Sequence, residues 1–195
     1  MRISGGKARG IPLRINKKSP VRAAIETSRE RLFSSIFQSV KDASVLDLFA
    51  GSGSYGLEAL SRGANNTTLV EKNRMVLRDL KSNLAAVLKS ANLDVGAGRL
   101  VNRDVLDFLR EKSAEPYELI FIDPPYEEIA IVGPKVFDLL LGNGYIFSHS
   151  LVILETPGEL EIDFTGWSLD RVVGKEKRGS PVHRIYSSPH PRPVQ

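Results

Sequence analysis

The chain has 195 residues, 42% hydrophobic and 26% charged, enough apolar sequence for one well-buried core and little beyond a single domain. It has no Cys, so neither a disulfide framework nor a cysteine-ligated metal site is available, and no apolar run reaches the length of a membrane span or of a signal-peptide centre. These features predict a cytoplasmic protein with no membrane and no metal partner.

The net charge of +4 is unevenly spread. Residues 1–41 carry ten Lys or Arg against two acids, residues 42–170 eleven against twenty, and residues 171–195 six against one. An acidic body with basic ends fits a catalytic domain (42–188) carrying a phosphate-contacting extension (1–41) and a short tail (189–195); it also fits plain solvated ends.

In chain order, Ile3, Ile11, Leu13 and Ile15 predict a small hairpin with Gly5-Gly6 at its turn, projecting Lys and Arg from one surface. Leu32, Phe33, Ile36, Phe37 and Val40 recur at three and four, which predicts a helix over 26–40 capped by Thr27 or Ser28. Then comes the run Val45-Leu46-Asp47-Leu48-Phe49-Ala50-Gly51-Ser52-Gly53-Ser54-Tyr55-Gly56, an apolar strand that stops at a G-x-G-x-x-G turn and continues as a helix closed by Gly63. Such a turn lets backbone approach a ligand at the sheet edge; substituting Gly53 by Val is expected to fill it and block cofactor binding.

A second strand, Thr67 to Glu71, ends in an acid about 20 residues beyond Gly51, placed to accept from both ribose hydroxyls of an adenosine or simply exposed at a strand end. Asn73 caps a long amphipathic helix through Leu88. A third strand is expected near 99–102, and Asp104 after it either reaches an adenine amino group or caps the helix beginning at Val105. The alternation of strands and helices predicts an α/β fold with a parallel sheet and helices on both faces.

The fourth strand, Tyr117 to Ile122, runs into Asp123-Pro124-Pro125-Tyr126. The prolines fix their own φ, restrict the residue before each, and offer carbonyls without N–H groups. Beside the Asp123 carboxylate and the Tyr126 ring they make a rigid acceptor cluster suited to a planar group bearing an amine, although Asp and Pro also make ordinary turns. A helix around 131–140, a fifth strand at Leu151–Glu155 and two closing antiparallel strands, 167–173 and 182–187, complete seven strands. The last two are joined by a basic loop. His183 is read as structural, since nothing near it pairs with it for catalysis.

These pieces, in this order, resemble a Rossmann-like class I S-adenosylmethionine-dependent methyltransferase of the N-methylating kind. More narrowly, Met1-Arg2-Ile3-Ser4-Gly5-Gly6-Lys7, Arg29-Glu30 before Leu32-Phe33, Leu46 to Gly53 and Phe121 to Tyr126 are similar to the bacterial RsmD family, which methylates guanine N2 in 16S ribosomal RNA. The similarity runs from residue 1 to about residue 187. It implies S-adenosylmethionine held by Asp47, Phe49, Gly51, Ser52, Gly53, Glu71, Lys72, Asp104 and Val105, and catalysis by Asp123, Pro124, Pro125 and Tyr126. RNA would be contacted by Arg2, Lys7, Arg9, Arg22 and Arg29, the partner being 16S rRNA or the assembling small subunit, and the enzyme a monomer. The sequence departs from the family pattern at Ala23-Ala24 and Thr27, so no family role carries to residues 23–28. Three other readings remain open at this point. One is an NAD-dependent oxidoreductase, which shares the glycine turn. Another is a non-catalytic RNA-binding module, and the third an N-methyltransferase acting on DNA adenine, a protein glutamine or another RNA base.

Overall fold

The computed structural model describes residues 1–15 and 22–188, without the side chains of residues 22–25. The expected RNA contact of Arg22 and the expected extended tail at 189–195 therefore lie outside the described residues. Seven strands form one sheet: β1 (Ser44–Leu48), β2 (Asn66–Val70), β3 (Gly98–Val101), β4 (Tyr117–Ile122), β5 (Ile146–Pro157), β6 (Ser168–Val173) and β7 (Pro181–Ser187). Their spatial order is β3-β2-β1-β4-β5-β7-β6; the first five are parallel, and β7 lies antiparallel to both β5 and β6.

Side chains alternate across the central strands, so each strand feeds two cores. Leu46, Leu48, Ile120, Ile122, Val152 and Leu154 pack on one face with α5 (Val105–Leu109) and α6 (Ile129–Gly142). On the other, Val45, Leu119, Phe121, Ile153 and Ile185 meet α1 (Arg22–Ser35), α2 (Phe37–Val40) and Tyr55 at the start of α3 (Gly56–Ser61). A third cluster packs α3, α4 (Arg74–Ala91) and the N-terminal residues Ile3, Ala8 and Leu13 together. Among the described residues no helix is long and apolar enough to cross a membrane.

The N-terminal hairpin is present as two arms paired through Ile3 N–H to Ile11 O (2.9 Å), Gly10 N–H to Ile3 O (2.9 Å) and Leu13 N–H to Met1 O (3.0 Å). It is tied to the end of α3 by Ser61, whose hydroxyl donates to Gly5 O at 2.6 Å and accepts from Ala8 N–H at 2.9 Å. Three sequence expectations need correction. The helix expected to start at Thr27 or Ser28 starts at Arg22, and Ser28 is a buried interior residue whose hydroxyl donates to Pro181 O at 3.4 Å. That helix also breaks at Ile36, leaving α2 as a separate turn. The fifth strand is longer than expected at both ends: beyond a register shift after Tyr117 it includes residues 146–150, held by Ser150 Oγ, which donates to Tyr117 O and accepts from Phe147 N–H, and its pairing with β7 carries it on to Pro157.

Candidate active site

Strand register determines which residues leave the sheet together. Leu48 pairs with Val70 and with Ile122, and Ile122 pairs with Leu154. The following residues, Phe49, Glu71, Asp123 and Glu155, therefore emerge side by side at the carboxyl edge, where parallel α/β sheets bind ligands. Phe49 takes a positive φ of 62°, an uncommon backbone state for a bulky residue that persists only where its surroundings impose it.

Two carboxylates brace the glycine turn. Glu71 accepts from Gly51 N–H at 3.0 Å and from Asn73 N–H at 2.7 Å. Asp47, buried beneath the turn, accepts from Gly56 N–H at 2.8 Å. Burial pushes the Asp47 carboxyl up to about 8, against the lowering effect of that hydrogen bond. The two turn glycines differ in what a side chain would meet. At Gly51 a Cβ would have Phe49 O, 3.8 Å away, as its nearest neighbour, so this position opens on the cavity. At Gly53 a Cβ would lie 2.5 Å from Leu80 Cδ1 and 2.8 Å from Leu57 Cδ1, inside the packing of α3 on α4. The expectation that Gly53→Val blocks the cofactor directly is thus corrected: that substitution should lower the melting temperature by overpacking, typically costing about 1–3 kcal/mol plus the strain of a positive φ. Gly51→Ala finds open space for its Cβ, so its loss of melting temperature should be the smaller one, set by the strain of a positive φ of 54° alone, while cofactor binding weakens. Thermal unfolding alongside calorimetric titration separates the two; equal melting temperatures would refute the assignment.

Across the edge from the turn, Asp123, Glu155 and His183 project to the face that holds Tyr55. Tyr55 stacks on Phe121 at 5.3 Å between centroids and donates its hydroxyl to Glu155 Oε2. His183, expected to be structural, is buried with its Nε2 2.8 Å from the Tyr55 hydroxyl and 3.5 Å from Glu155 Oε2, partners that come from elsewhere in the chain. The other Glu155 oxygen accepts from the hydroxyl of Tyr126 at 2.9 Å, fixing the ring of a residue that is 43% exposed and lines the cavity. Burial works against ionisation of Glu155, but His183 and the two tyrosine hydroxyls hold its carboxyl below the usual value. Asp123 stands in the opposite situation: burial first, then the negative charges of Glu155 and Asp47, hold its carboxyl well above the usual range. Replacing Glu155 by Gln should therefore move the acid limb of the pH–rate profile to lower pH, since one of the charges opposing Asp123 ionisation is gone. It should also raise KM for the acceptor by loosening Tyr126. An unmoved acid limb would show that Glu155 does not act on Asp123.

Most of the predicted cofactor and catalytic residues meet in one cavity of about 560 Å³. Phe49, Gly51, Glu71, Lys72 and Val105 line it from the glycine side, and Asp123, Pro124, Pro125 and Tyr126 from the other. Asp47, Ser52, Gly53 and Asp104 do not line it. Asp47 and Gly53 support the turn from behind, while Ser52 faces a different groove beside Arg14 and Met75. Asp104 caps α5 by accepting from Leu106 N–H at 2.9 Å, and its other oxygen lies 3.7 Å from Lys72 Nζ. Sequence reasoning missed Val70, Glu155, Gly179 and Pro181, which complete the wall. Of the RNA-contact candidates, Arg2, Lys7 and Arg9 are exposed. Arg29 is corrected: its side chain is fully buried, 3.4 Å from the equally buried Glu58, and cannot reach a phosphate from there.

A parallel sheet with a glycine turn after β1, acids after β2 and β4, and a closing antiparallel pair defines a class I S-adenosylmethionine-dependent methyltransferase fold. Residues 1–186 match the model of the family described as Conserved hypothetical protein 95. The chain is 35% identical over 188 residues to ribosomal RNA small subunit methyltransferase D of Escherichia coli K12, covering 95% of this chain and 89% of that protein. To the Haemophilus influenzae protein of the same name it is 31% identical over 190 residues, covering 96% and 94%. The solved structure of Escherichia coli yhhF superposes with a TM-score of 0.78 at 35% identity, covering 96% of this chain and 97% of that one. The chain belongs to this family, the RsmD family that its sequence resembles.

Proposed function

We propose that this protein transfers a methyl group from S-adenosylmethionine to the exocyclic N2 amine of a guanine in 16S ribosomal RNA, in the bacterial cytoplasm. The observation that carries this reading is the meeting, in one cavity, of an adenosine-type half and an amine-acceptor half. The first half fits the cofactor: Gly51 leaves open space, the Glu71 carboxylate can accept from ribose hydroxyls, and Phe49, Val70 and Val105 offer apolar surface to an adenine. The exposed carboxylate edge of Asp104 stands close enough to Lys72 to complete a polar rim there.

When bound, S-adenosylmethionine supplies an electrophilic methyl group on a positively charged sulfur. The protein supplies position. A guanine N2 is reachable in a loop or as a flipped base, and Tyr126 offers the face for it to stack on. The Asp123 carboxylate and the Pro124 carbonyl accept the two amine hydrogens, which draws the nitrogen away from conjugation with the ring and frees its lone pair. Asp123 need not be a strong base, because the proton can leave after the methyl has been received; this scheme calls for no metal. Most of the rate enhancement then comes from orientation. Arg2, Lys7 and Arg9, on the N-terminal extension of the 42–188 domain, contact RNA phosphates, and the enzyme works as a monomer. The names of the Escherichia coli and Haemophilus influenzae relatives support ribosomal RNA as the substrate.

The test is transfer of labelled methyl from S-adenosylmethionine to 16S rRNA, free and in small subunits from a strain lacking the gene, followed by nucleoside analysis. N2-methylguanosine at one position is expected. Label in adenine, in protein or in DNA would overturn the acceptor, and stabilisation by NAD instead of S-adenosylmethionine would overturn the cofactor.

A further inference from the structure

We propose that the loop joining β6 to β7, residues 174–180, is a second RNA-contacting surface that grips the phosphates of the strand carrying the target base; this rests on the RNA-methyltransferase reading above. The loop's position follows from topology. Because β5 and β6 both run antiparallel to β7, they share a direction, so the turn from β6 into β7 lies at the carboxyl edge of the sheet. Pro181 pairs there with Pro157 at the end of β5. Gly179 and Pro181 accordingly form part of the same cavity wall as Asp123 and Tyr126.

The charges on this loop are arranged to face outward. Lys175, Lys177 and Arg178 are exposed, and none of the three forms an ion pair among the described residues. Of the neighbouring acids, one turns to the root of β7 and the other, Glu159, stands within reach of the Arg178 charge without forming an ion pair with it. Glu176 lies 3.2 Å from the buried Arg184 at the root of β7, and Glu159 accepts from Gly179 N–H at 3.0 Å. A charge run in a floppy loop would signify little. This loop is fastened: Gly158 N–H donates to Ser180 O at 2.8 Å, Ser180 N–H to Lys177 O at 3.0 Å, and the Ser28 hydroxyl of α1 to Pro181 O at 3.4 Å. Three exposed cations, none in an ion pair among the described residues and only Arg178 with an acid, Glu159, in electrostatic reach, are thus presented on a fixed scaffold a few residues from the cavity wall that Tyr126 shares. A nucleotide drawn into that cavity brings its flanking phosphates past this rim. An acidic protein surface lacks the accompanying base that the Tyr126 face accommodates, which favours RNA as the occupant.

The test compares wild type with the variant carrying Lys175→Ala, Lys177→Ala and Arg178→Ala together. A 16S rRNA fragment is titrated over a salt series, with S-adenosylmethionine binding and melting temperature measured in parallel. Losing about three phosphate contacts should weaken RNA binding at least tenfold at low salt and flatten the plot of log K against log salt by about two, at roughly 0.7 per single-strand phosphate. S-adenosylmethionine binding and melting temperature should not change. A charge-keeping variant, with Lys175→Arg, Lys177→Arg and Arg178→Lys, should bind as wild type does; if it were as weak as the alanine variant, loop conformation and not charge would be responsible and the proposal would fail. Unchanged affinity and slope in the alanine variant, with wild type binding normally, would also overturn it. So would a loss of activity on assembled subunits with unaltered RNA affinity, which would point to a protein contact. A wild type that neither binds nor methylates RNA would instead overturn the reading of function itself.

Discussion

Asp123→Asn is expected to lose methyl transfer by a factor on the order of 10²–10⁴ while binding S-adenosylmethionine almost as wild type does. The substitution keeps shape and volume. It replaces one acceptor oxygen with an NH₂ that would face the substrate's NH₂, and removes the negative charge that offsets positive charge developing on the attacked amine. Glu71, Gly51 and Val105, which belong to other strands and loops, are untouched. Stability should move the other way. The Asp123 carboxyl sits above its usual range in the folded protein, so the native state holds this proton more tightly than the unfolded chain does. The corresponding stabilisation is present at acid pH and drains away as pH rises through the raised value. An amide in that place removes the opposition to Glu155 and Asp47, so the variant should melt at or above the wild-type temperature at pH 8. Single-turnover kinetics, calorimetric titration and a thermal melt decide the matter together. Wild-type turnover would sink the role of Asp123, and a large fall in melting temperature would mean the residue is structural.

That opposition of catalysis and stability concerns a cluster only half visible in the sequence. The glycine turn and Asp-Pro-Pro-Tyr were legible because each is a local pattern at a strand's end, where the backbone must do something a side-chain motif can mark. The resemblance added the cofactor and RNA roles to a frame the periodicity already supported. Glu155 was not singled out, although Leu151 to Glu155 is an apolar run ending in an acid, the same signal that marked Glu71 after Thr67 to Val70. What the sequence could not show was that β5 and β7 align Glu155 opposite His183, since that register depends on a strand pairing between residues far apart in the chain. His183 looked unpartnered for the same reason. Tyr55 lies inside the glycine motif, where the sequence marks only a turn; its hydroxyl is what joins that turn to the cluster behind Tyr126. Arg29 failed differently. Its RNA role came with the resemblance, and nothing local in the sequence marks a buried arginine, which only the arrival of Glu58 from α3 makes tolerable.

Glu58→Gln is accordingly expected to be strongly destabilising. Glu58 is fully buried and serves three partners: Arg29 Nε at 3.4 Å, Arg62 Nε at 2.7 Å, and Ser4, whose N–H and hydroxyl each donate to it at 2.8 Å. Arg29 would retain only the hydrogen bond from Nη2 to Arg2 O at 2.5 Å, with Nε and Nη1 buried and already without hydrogen-bond partners. Breaking one side of a buried pair costs about 3–5 kcal/mol, which for a chain of this length lowers the melting temperature by on the order of 10 °C. If the uncompensated charge is the cause, adding Arg29→Met to Glu58→Gln should recover much of the loss, because neither charge is then left alone. The N-terminal segment should respond as well. Ser4 and Arg2 are held through this cluster, and Met1 packs beside Ser52 on the glycine turn, so their release would free Arg2, Lys7 and Arg9 from a fixed surface and weaken RNA binding. Hydrogen exchange over residues 1–13 reads that release independently of melting. A Glu58→Gln protein that melts within a degree or two of wild type, with the N-terminal amides still protected, would show that the hairpin and Arg29 are held by packing alone.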